Sequence, residues 1–158
     1  METIDLTPIA YVSNDRHHLE DDDWGEVISE IHLREDLSAE LFMGLDTFSH
    51  VEIIFVFHRV PADKKVPDSR HPRDNQAWPK LGLLAQRSSY HPNPIGLCTA
   101  KILKVVGSVL TVQGLDAVDG SPILDIKPVF QEFIPGDTKQ PQWVSELLKN
   151  YWKKSRKS

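Results

Sequence analysis

Residues 95–106 form a long run rich in β-branched and apolar side chains that reaches Gly107-Ser108 and is answered by Val109, Leu110, Thr111, Val112 and Gln113. A glycine followed by a polar residue suits the tight turn that right-twisted antiparallel strands prefer. No other feature narrows the fold so far, and the rest of the chain supplies strands of the same kind. Residues 51–58 are the strongest of these: Val51, Ile53, Ile54, Phe55, Val56 and Phe57 crowd them, so that both faces read as largely buried. Shorter strands are expected at residues 8–12, 27–33 and 123–127. Ser38 can cap, and Gly44 can end, a short helix over residues 38–45. Trp143, Leu147 and Tyr151 recur every four residues, as do Val144, Leu148 and Trp152, which predicts a C-terminal helix with one apolar face, entered at Pro141. The expected fold is mainly β, a small barrel with short helical additions and a C-terminal helix. One domain is expected over residues 1–158, with a long proline-rich and charged loop at about 61–79.

Composition removes several classes. A hydrophobic fraction of 40% with 26% charged residues is that of a soluble globular chain, not a disordered one. The longest apolar run, residues 51–58, is too short for a membrane span and contains Glu52. No basic segment leads into an apolar N-terminal stretch, so the expected location is the cytoplasm. Cys98 is the single cysteine, which excludes an intrachain disulfide and any multi-cysteine metal site.

The net charge of -5 hides an arrangement. Residues 1–60 carry 14 acidic and 3 basic side chains, whereas residues 64–104 carry 8 basic and 2 acidic ones. Overall acidity argues against indiscriminate coating of nucleic acid and leaves room for a focused basic site. Glu20, Asp21, Asp22 and Asp23 repel one another and favour an exposed loop. The basic tail of Lys149, Lys153, Lys154, Arg156 and Lys157 suits a helix C-terminus and solubility.

Two segments concentrate the chemistry. In residues 86–96, Pro92 and Pro94 fix the backbone around Asn93, and Gly96 admits close approach to the main chain. Arg87 offers a planar fork for carboxylate or phosphate. On composition alone the segment is equally a ligand site and a rigid turn whose arginine neutralises a neighbouring carboxylate. In residues 115–128, Asp119-Gly120-Ser121-Pro122 is a turn, and Asp125 and Lys127 share one strand face, where they could pair or receive a polar ligand. Three carboxylates beside a lysine lack a metal motif, and no metal site is expected. The histidines have no zinc-peptidase spacing, and no phosphate-cradling or dinucleotide glycine motif is present. Ser88, Ser89 and Cys98 lack a local base and read as ordinary surface serines and a buried thiol.

Taken together, Gly44-Leu45-Asp46-Thr47-Phe48-Ser49-His50, Arg87…His91-Pro92-Asn93-Pro94-Ile95-Gly96-Leu97 and Asp116…Asp119-Gly120-Ser121-Pro122-Ile123-Leu124-Asp125-Ile126-Lys127-Pro128 resemble the TsaA/TrmO (YaeB-like) family of S-adenosyl-L-methionine-dependent tRNA methyltransferases. The resemblance covers nearly the whole chain, with two long motifs in the right order. It implies a β-barrel methyltransferase, working as a homodimer, that methylates N6 of a modified adenosine at tRNA position 37. It implies that Arg87, His91, Pro92, Asn93, Pro94 and Gly96 shape the adenosylmethionine pocket. Asp116, Asp119, Ser121, Asp125 and Lys127 would line it from the second motif, and Leu124 would enclose apolar parts of the cofactor. Asp125 is the candidate acceptor for the attacking amine's proton, with Lys127 beside it. A tRNA substrate is the expected partner, with no membrane and no stable hetero-partner.

The chain departs from the family pattern at Gln86, Ser89, Tyr90 and His91, where the family reads threonine, proline, histidine and arginine within the motif written Thr-Arg-Ser-Pro-His-Arg-Pro-Asn-Pro; Val129 replaces a tyrosine. It is also expected to lack the extra C-terminal domain of longer members. Lys64, Lys65, Arg70 and Arg73 are expected to meet RNA phosphates, while the acidic first third faces elsewhere. The competing expectation is an adenosylmethionine-binding module without RNA methylation activity.

Overall fold

Alternation of inward and outward side chains determines the architecture of the computed structural model, in which residues 1–153 are described. Strand β1 (Ala10–Ser13) buries Ala10 and Val12, β2 (Ile28–Leu33) buries Ser29, Ile31 and Leu33, and β3 (His50–Val56) buries Val51, Ile53 and Phe55. Two short strands, β4 (Ser69–Arg70) and β5 (Leu81–Gly82), pair only with each other. The long β6 (Ile95–Val106), β7 (Val109–Gln113) and β8 (Pro122–Pro128) complete the set, followed by helix α1 (Gln142–Leu147). Six strands close into a barrel in the order β1-β2-β7-β6-β3-β8, every neighbouring pair antiparallel. The expected mainly β barrel is therefore what the chain forms. Closure leaves none of the six strands at an open end of the sheet.

The β6–β7 hairpin turns at Gly107, whose φ of 58° lies in the left-handed region, while Ser108 keeps a negative φ. This is the glycine-first turn that fits strand twist. Each of two strands carries one extra residue. In β6 the register against β7 shifts between Ile102 and Lys104; in β8 the register against β3 jumps from Asp125 to Ile123. A one-residue bulge exchanges the faces of everything beyond it. Ile123 points into the core opposite Phe55, and Ile126 returns to it opposite Ile53, so Asp125 and Lys127 lie on the outer face.

Three expectations are corrected. The helix over residues 38–45 is two short 3-10 turns, Ala39–Phe42 and Leu45–Thr47, separated by Gly44 at φ 85°. Ser38 does cap the first, its Oγ accepting from the Glu40 amide at 3.2 Å. The loop at 61–79 is not featureless, because it carries β4 and a 3-10 turn at Pro72–Asp74. The C-terminal helix stops at Leu147, six residues long, and continues as turns. The carbonyls of Asn150 and Tyr151 instead accept hydrogen bonds from the Asp23 and Trp24 amides, at 3.1 and 2.8 Å. Of the two apolar rows, Trp143, Leu147 and Tyr151 are half-buried, whereas Leu148 and Trp152 stay exposed. Lys149 and Lys153 are exposed, and Lys154, Arg156 and Lys157 lie outside the described residues. No described helix is long and apolar enough to cross a membrane.

One contact ties the first chemical motif to the barrel. A Cβ at Gly96 would stand 2.3 Å from Cζ of Phe55, so only a glycine lets that ring lie against β6. Gly96→Ala should lower stability by about 2 kcal/mol, or roughly 4–8 °C in Tm for a chain this size. Thermal unfolding of Gly96→Ala and of Gly96→Ala/Phe55→Leu checks this: the second change should recover part of the loss, and additive losses would contradict the steric cause.

Candidate functional site

The first motif is held by its own hydrogen bonds. Gln86, buried, donates through Nε2 to the carbonyls of Arg70 (2.9 Å) and Leu81 (3.1 Å), and its own carbonyl lies 2.8 Å from the His91 ring. Arg87 is exposed and donates from Nη2 to the Leu97 carbonyl at 2.5 Å. Asn93 folds its carbonyl onto the Ile95 amide (2.8 Å), and the Pro94 carbonyl accepts from Phe57 (2.8 Å). Pro92 and the Asn93 side chain face solvent, while Gly96 is buried under Phe55.

The second motif spreads over three places. Asp116 Oδ2 accepts from the Tyr151 hydroxyl at 2.5 Å, while Asp116 Oδ1 is buried without a hydrogen-bond partner among the described residues. Cys98 lies beside it, its thiol directed at the Gly114 carbonyl at 3.3 Å. Burial first, and the charge of Asp116 second, push the Cys98 thiol far above its ordinary range, against a smaller opposing effect of Arg87. The same two causes raise the Tyr151 phenol. Asp119 accepts from the Asn14 amide (3.1 Å) and lies 3.4 Å from His17 Nδ1. Gly120 lies close to His58, whose pKa is lowered chiefly by burial and then by Arg59. Ser121 is buried with its hydroxyl donated to the Val118 carbonyl at 2.7 Å. Leu124, at the β8 bulge, is half-buried.

Asp125 pairs with Lys127 at 2.9 Å and accepts from the Ile126 amide at 2.9 Å. It opens on a cleft of about 660 Å³ lined by Ile9, Leu41, Met43, Phe48 and Pro128 among others. Strand β3 stands between the motifs. Phe55 pairs with Gly96 and Ile123, Ile54 with Leu97 and Asp125, and Glu52 with Thr99 and Lys127. Asp125 therefore lies two strand spacings, about 10 Å, from the Leu97 backbone that Arg87 grips. Among the described residues, no group of three or more histidine, cysteine or acidic side chains could hold a metal ion.

The basic residues divide. Lys64 Nζ lies 3.4 Å, and the Arg70 guanidinium 4.1 Å, from the centre of the Tyr90 ring, and Lys65 lines a hollow beside them. Arg73 turns instead to the acidic loop, 2.9 Å from Asp22 and 3.8 Å from Asp21. The expectation that the acidic first third faces away from the basic middle is thus corrected at Arg73. Arg16 orders the same loop, donating to the carbonyls of Asp22 and Asp23 and lying 3.9 Å over Trp24.

Two interactions gave no warning in the sequence: the Tyr151–Asp116 bond, and the Gln86 bridge. The first motif pattern marked Gln86 only as a departure.

With this geometry in place, comparison with known proteins is decisive. The family described as tRNA-methyltransferase O N-terminal domain matches residues 22–133. The chain belongs to this family. A human tRNA (adenine(37)-N6)-methyltransferase is 41% identical over 109 residues, covering 69% of this chain and 23% of that protein. A probable S-adenosyl-L-methionine-binding protein from Methanothermobacter thermautotrophicus is 35% identical over 106 residues, covering 66% of this chain and 71% of its own length. A crystal structure of TrmO from Pseudomonas aeruginosa superposes with a TM-score of 0.71 at 24% identity, over 90% of this chain and 62% of that one, and it shares the fold. The chain spans about a quarter of the length of the human relative.

The raised thiol and phenol carry a pH consequence. Both are neutral when folded, and both ionise more readily when unfolded, so stability is fully present below the ordinary thiol range. It falls as pH climbs above about 8.5, and further above about 10. Denaturant titrations across pH 7–11 should show this decline. Cys98→Ala should flatten its first part and Tyr151→Phe its second; unchanged slopes in both variants would remove these groups as the cause.

Proposed function

We propose that this chain is an S-adenosyl-L-methionine-dependent RNA methyltransferase that methylates N6 of a modified adenosine at tRNA position 37. Family membership and the activities for which its relatives are named support this reading. The observation that carries the cofactor side is Asp116. A buried carboxylate oxygen that lacks a hydrogen-bond partner is costly and suits a ligand that brings hydroxyl or amino hydrogens, while the exposed Arg87 fork suits a ligand's carboxylate.

When bound, adenosylmethionine supplies an electrophilic methyl group on a cationic sulfur. Asp116 Oδ1 would accept from the ligand, with Tyr151 holding the carboxylate in place through Oδ2. Arg87 keeps part of its fork free after its bond to Leu97 and would meet the ligand's carboxylate. Pro92 and Pro94 restrict the Asn93 backbone, and His91 steadies the turn through Gln86. Asp119 and Ser121 stabilise the facing turn, and Leu124 adds apolar surface. Asp125, paired with Lys127 at 2.9 Å, would take the proton that the attacking amine sheds. Holding the amine in line with the methyl group would supply much of the rate, because release of a neutral thioether needs no acid from the protein.

A homodimer and a cytoplasmic location belong to the same reading. Phe130 packs between Phe48 and Phe133 with ring centres 5.8 and 5.6 Å apart, and all three are exposed, with Ile134 beside them. An apolar group of this size suits an interface with a second copy. Sedimentation should give a dimer for the parent and a monomer for Phe133→Asp; a monomeric parent at micromolar concentration would dismiss the assembly.

A binding module without methyl transfer is favoured by one observation. Asp125 is already paired and opens on a cleft lined by residues outside the first motif. Labelled adenosylmethionine, RNA from cells lacking this protein and nucleoside mass analysis separate the readings. Methylated adenosine is the expected product. Asp116→Asn should weaken cofactor binding about tenfold by calorimetry, and Asp125→Asn should slow turnover about a hundredfold with cofactor affinity retained. Binding without incorporation would establish the module instead.

A further inference from the structure

Three of the four departures from the family motif converge on one place. Gln86 links the backbone of Arg70 in β4 to that of Leu81 in β5; His91 bonds to Gln86; Tyr90 lies against Lys64 and Arg70. The result is a hollow of about 730 Å³ whose lining includes Lys65, Ser69, Arg70, His71, Lys80 and Tyr90. Among the described residues Asp74 is its single acidic lining residue, and it is already taken by Arg70 at 2.7 Å. Lys65 and Lys80 have no ion-pair partner among the described residues. His71 is fixed through Nδ1 to the Trp78 carbonyl at 2.7 Å.

We infer that this hollow is a phosphate cup that grips the RNA strand, with Lys65 and Lys80 contacting phosphodiesters and Tyr90 holding Lys64 and Arg70 in place. Like charges drawn this close repel one another. The Tyr90 ring attracts both cations and offsets that repulsion; Arg70 is answered by Asp74 as well, whereas Lys65 and Lys80 meet no carboxylate among the described residues. The charge therefore stays available to a ligand. Several cations spread around a broad hollow match successive phosphates of a strand better than one compact anion. On a chain whose net charge is -5, concentrating positive charge here also orients an approaching polyanion.

The two sides of the interface thus differ. Arg73, equally basic, is paired with the acidic loop and contributes little, whereas Lys80, outside the loop at 61–79, joins the cup. This inference rests on RNA as the substrate but not on methyl transfer, so binding is measured without cofactor. The probe is a fluorescent single-stranded oligoribonucleotide, followed by anisotropy over a salt series, with inorganic phosphate and polyglutamate as competitors.

Lys65→Ala/Lys80→Ala, at residues without ion pairs among the described residues, should weaken binding about tenfold and flatten the logarithmic salt slope by about 1.4, at roughly 0.7 per lost phosphate contact. Tyr90→Leu should weaken binding about threefold, and Tyr90→Phe, which keeps the ring, less than twofold. Arg73→Ala should leave affinity within twofold of the parent. Excess inorganic phosphate should displace the probe weakly, as a shared chemistry requires of the smaller ligand. Parallel salt slopes for the double lysine variant and parent would overturn the cup, as would polyglutamate competing as well as RNA of equal charge. Loss of methyl transfer with these affinities intact would count against the proposed reaction and leave the cup standing.

Discussion

The ring of Phe55 stands where three strands must agree. It points into the barrel from β3, lies opposite Ile123 of β8 on one side and Gly96 of β6 on the other, and meets Phe57 edge-on at 5.1 Å. A bulky aromatic filling one end of a small barrel excludes a side chain from the neighbouring strand. Gly96 is consequently less a means of admitting ligand than a means of admitting Phe55. Both chemical motifs then begin where this packing leaves them, the rigid proline turn just before Gly96 and the aspartate turn just before Ile123. Their nearness in space follows from hydrophobic packing in which no functional group takes part.

Strands were legible because their period is short and their apolar residues repeat. The buried positions Ile31, Ile53, Leu110 and Val112 announce themselves by alternation. The bulges were not legible, since one extra leucine among apolar neighbours leaves no mark on composition. At Leu124 that single residue decides whether Asp125 points with Ile123 into the core or away from it. The pairing of Asp125 with Lys127 survives either way, because both move together.

Helical spacing misled at the C-terminus for a different reason. The apolar rows continue past Leu147, but the carbonyls of Asn150 and Tyr151 have donors in Asp23 and Trp24, and a tertiary hydrogen bond replaces the next helical turn. A Cβ at Gly25 would stand 2.0 Å from the Trp152 carbonyl oxygen, so this segment lies directly on the backbone of the acidic loop. The acidic loop is held in place by Arg16 through its carbonyls and by Arg73 through Asp22. Linear charge blocks gave the right signs but could not show which arginine crosses between them. The Tyr151–Asp116 bond joins residues far apart in sequence through one hydroxyl, and no local pattern encodes such a contact.

Barrel closure also sets an order of events. β1 completes the ring through Ala10 opposite Ile123 and Tyr11 opposite Pro122, the shortest strand pairing in the barrel between its most distant strands. A loop of that length must lose its freedom before the contact repays it, which slows folding of sheets built this way. On a ribosome, β1 and β2 emerge long before β8 exists. The nascent chain therefore carries an unsatisfied strand edge through most of its synthesis, an edge able to pair with a neighbouring chain until residues 122–128 arrive to cover it.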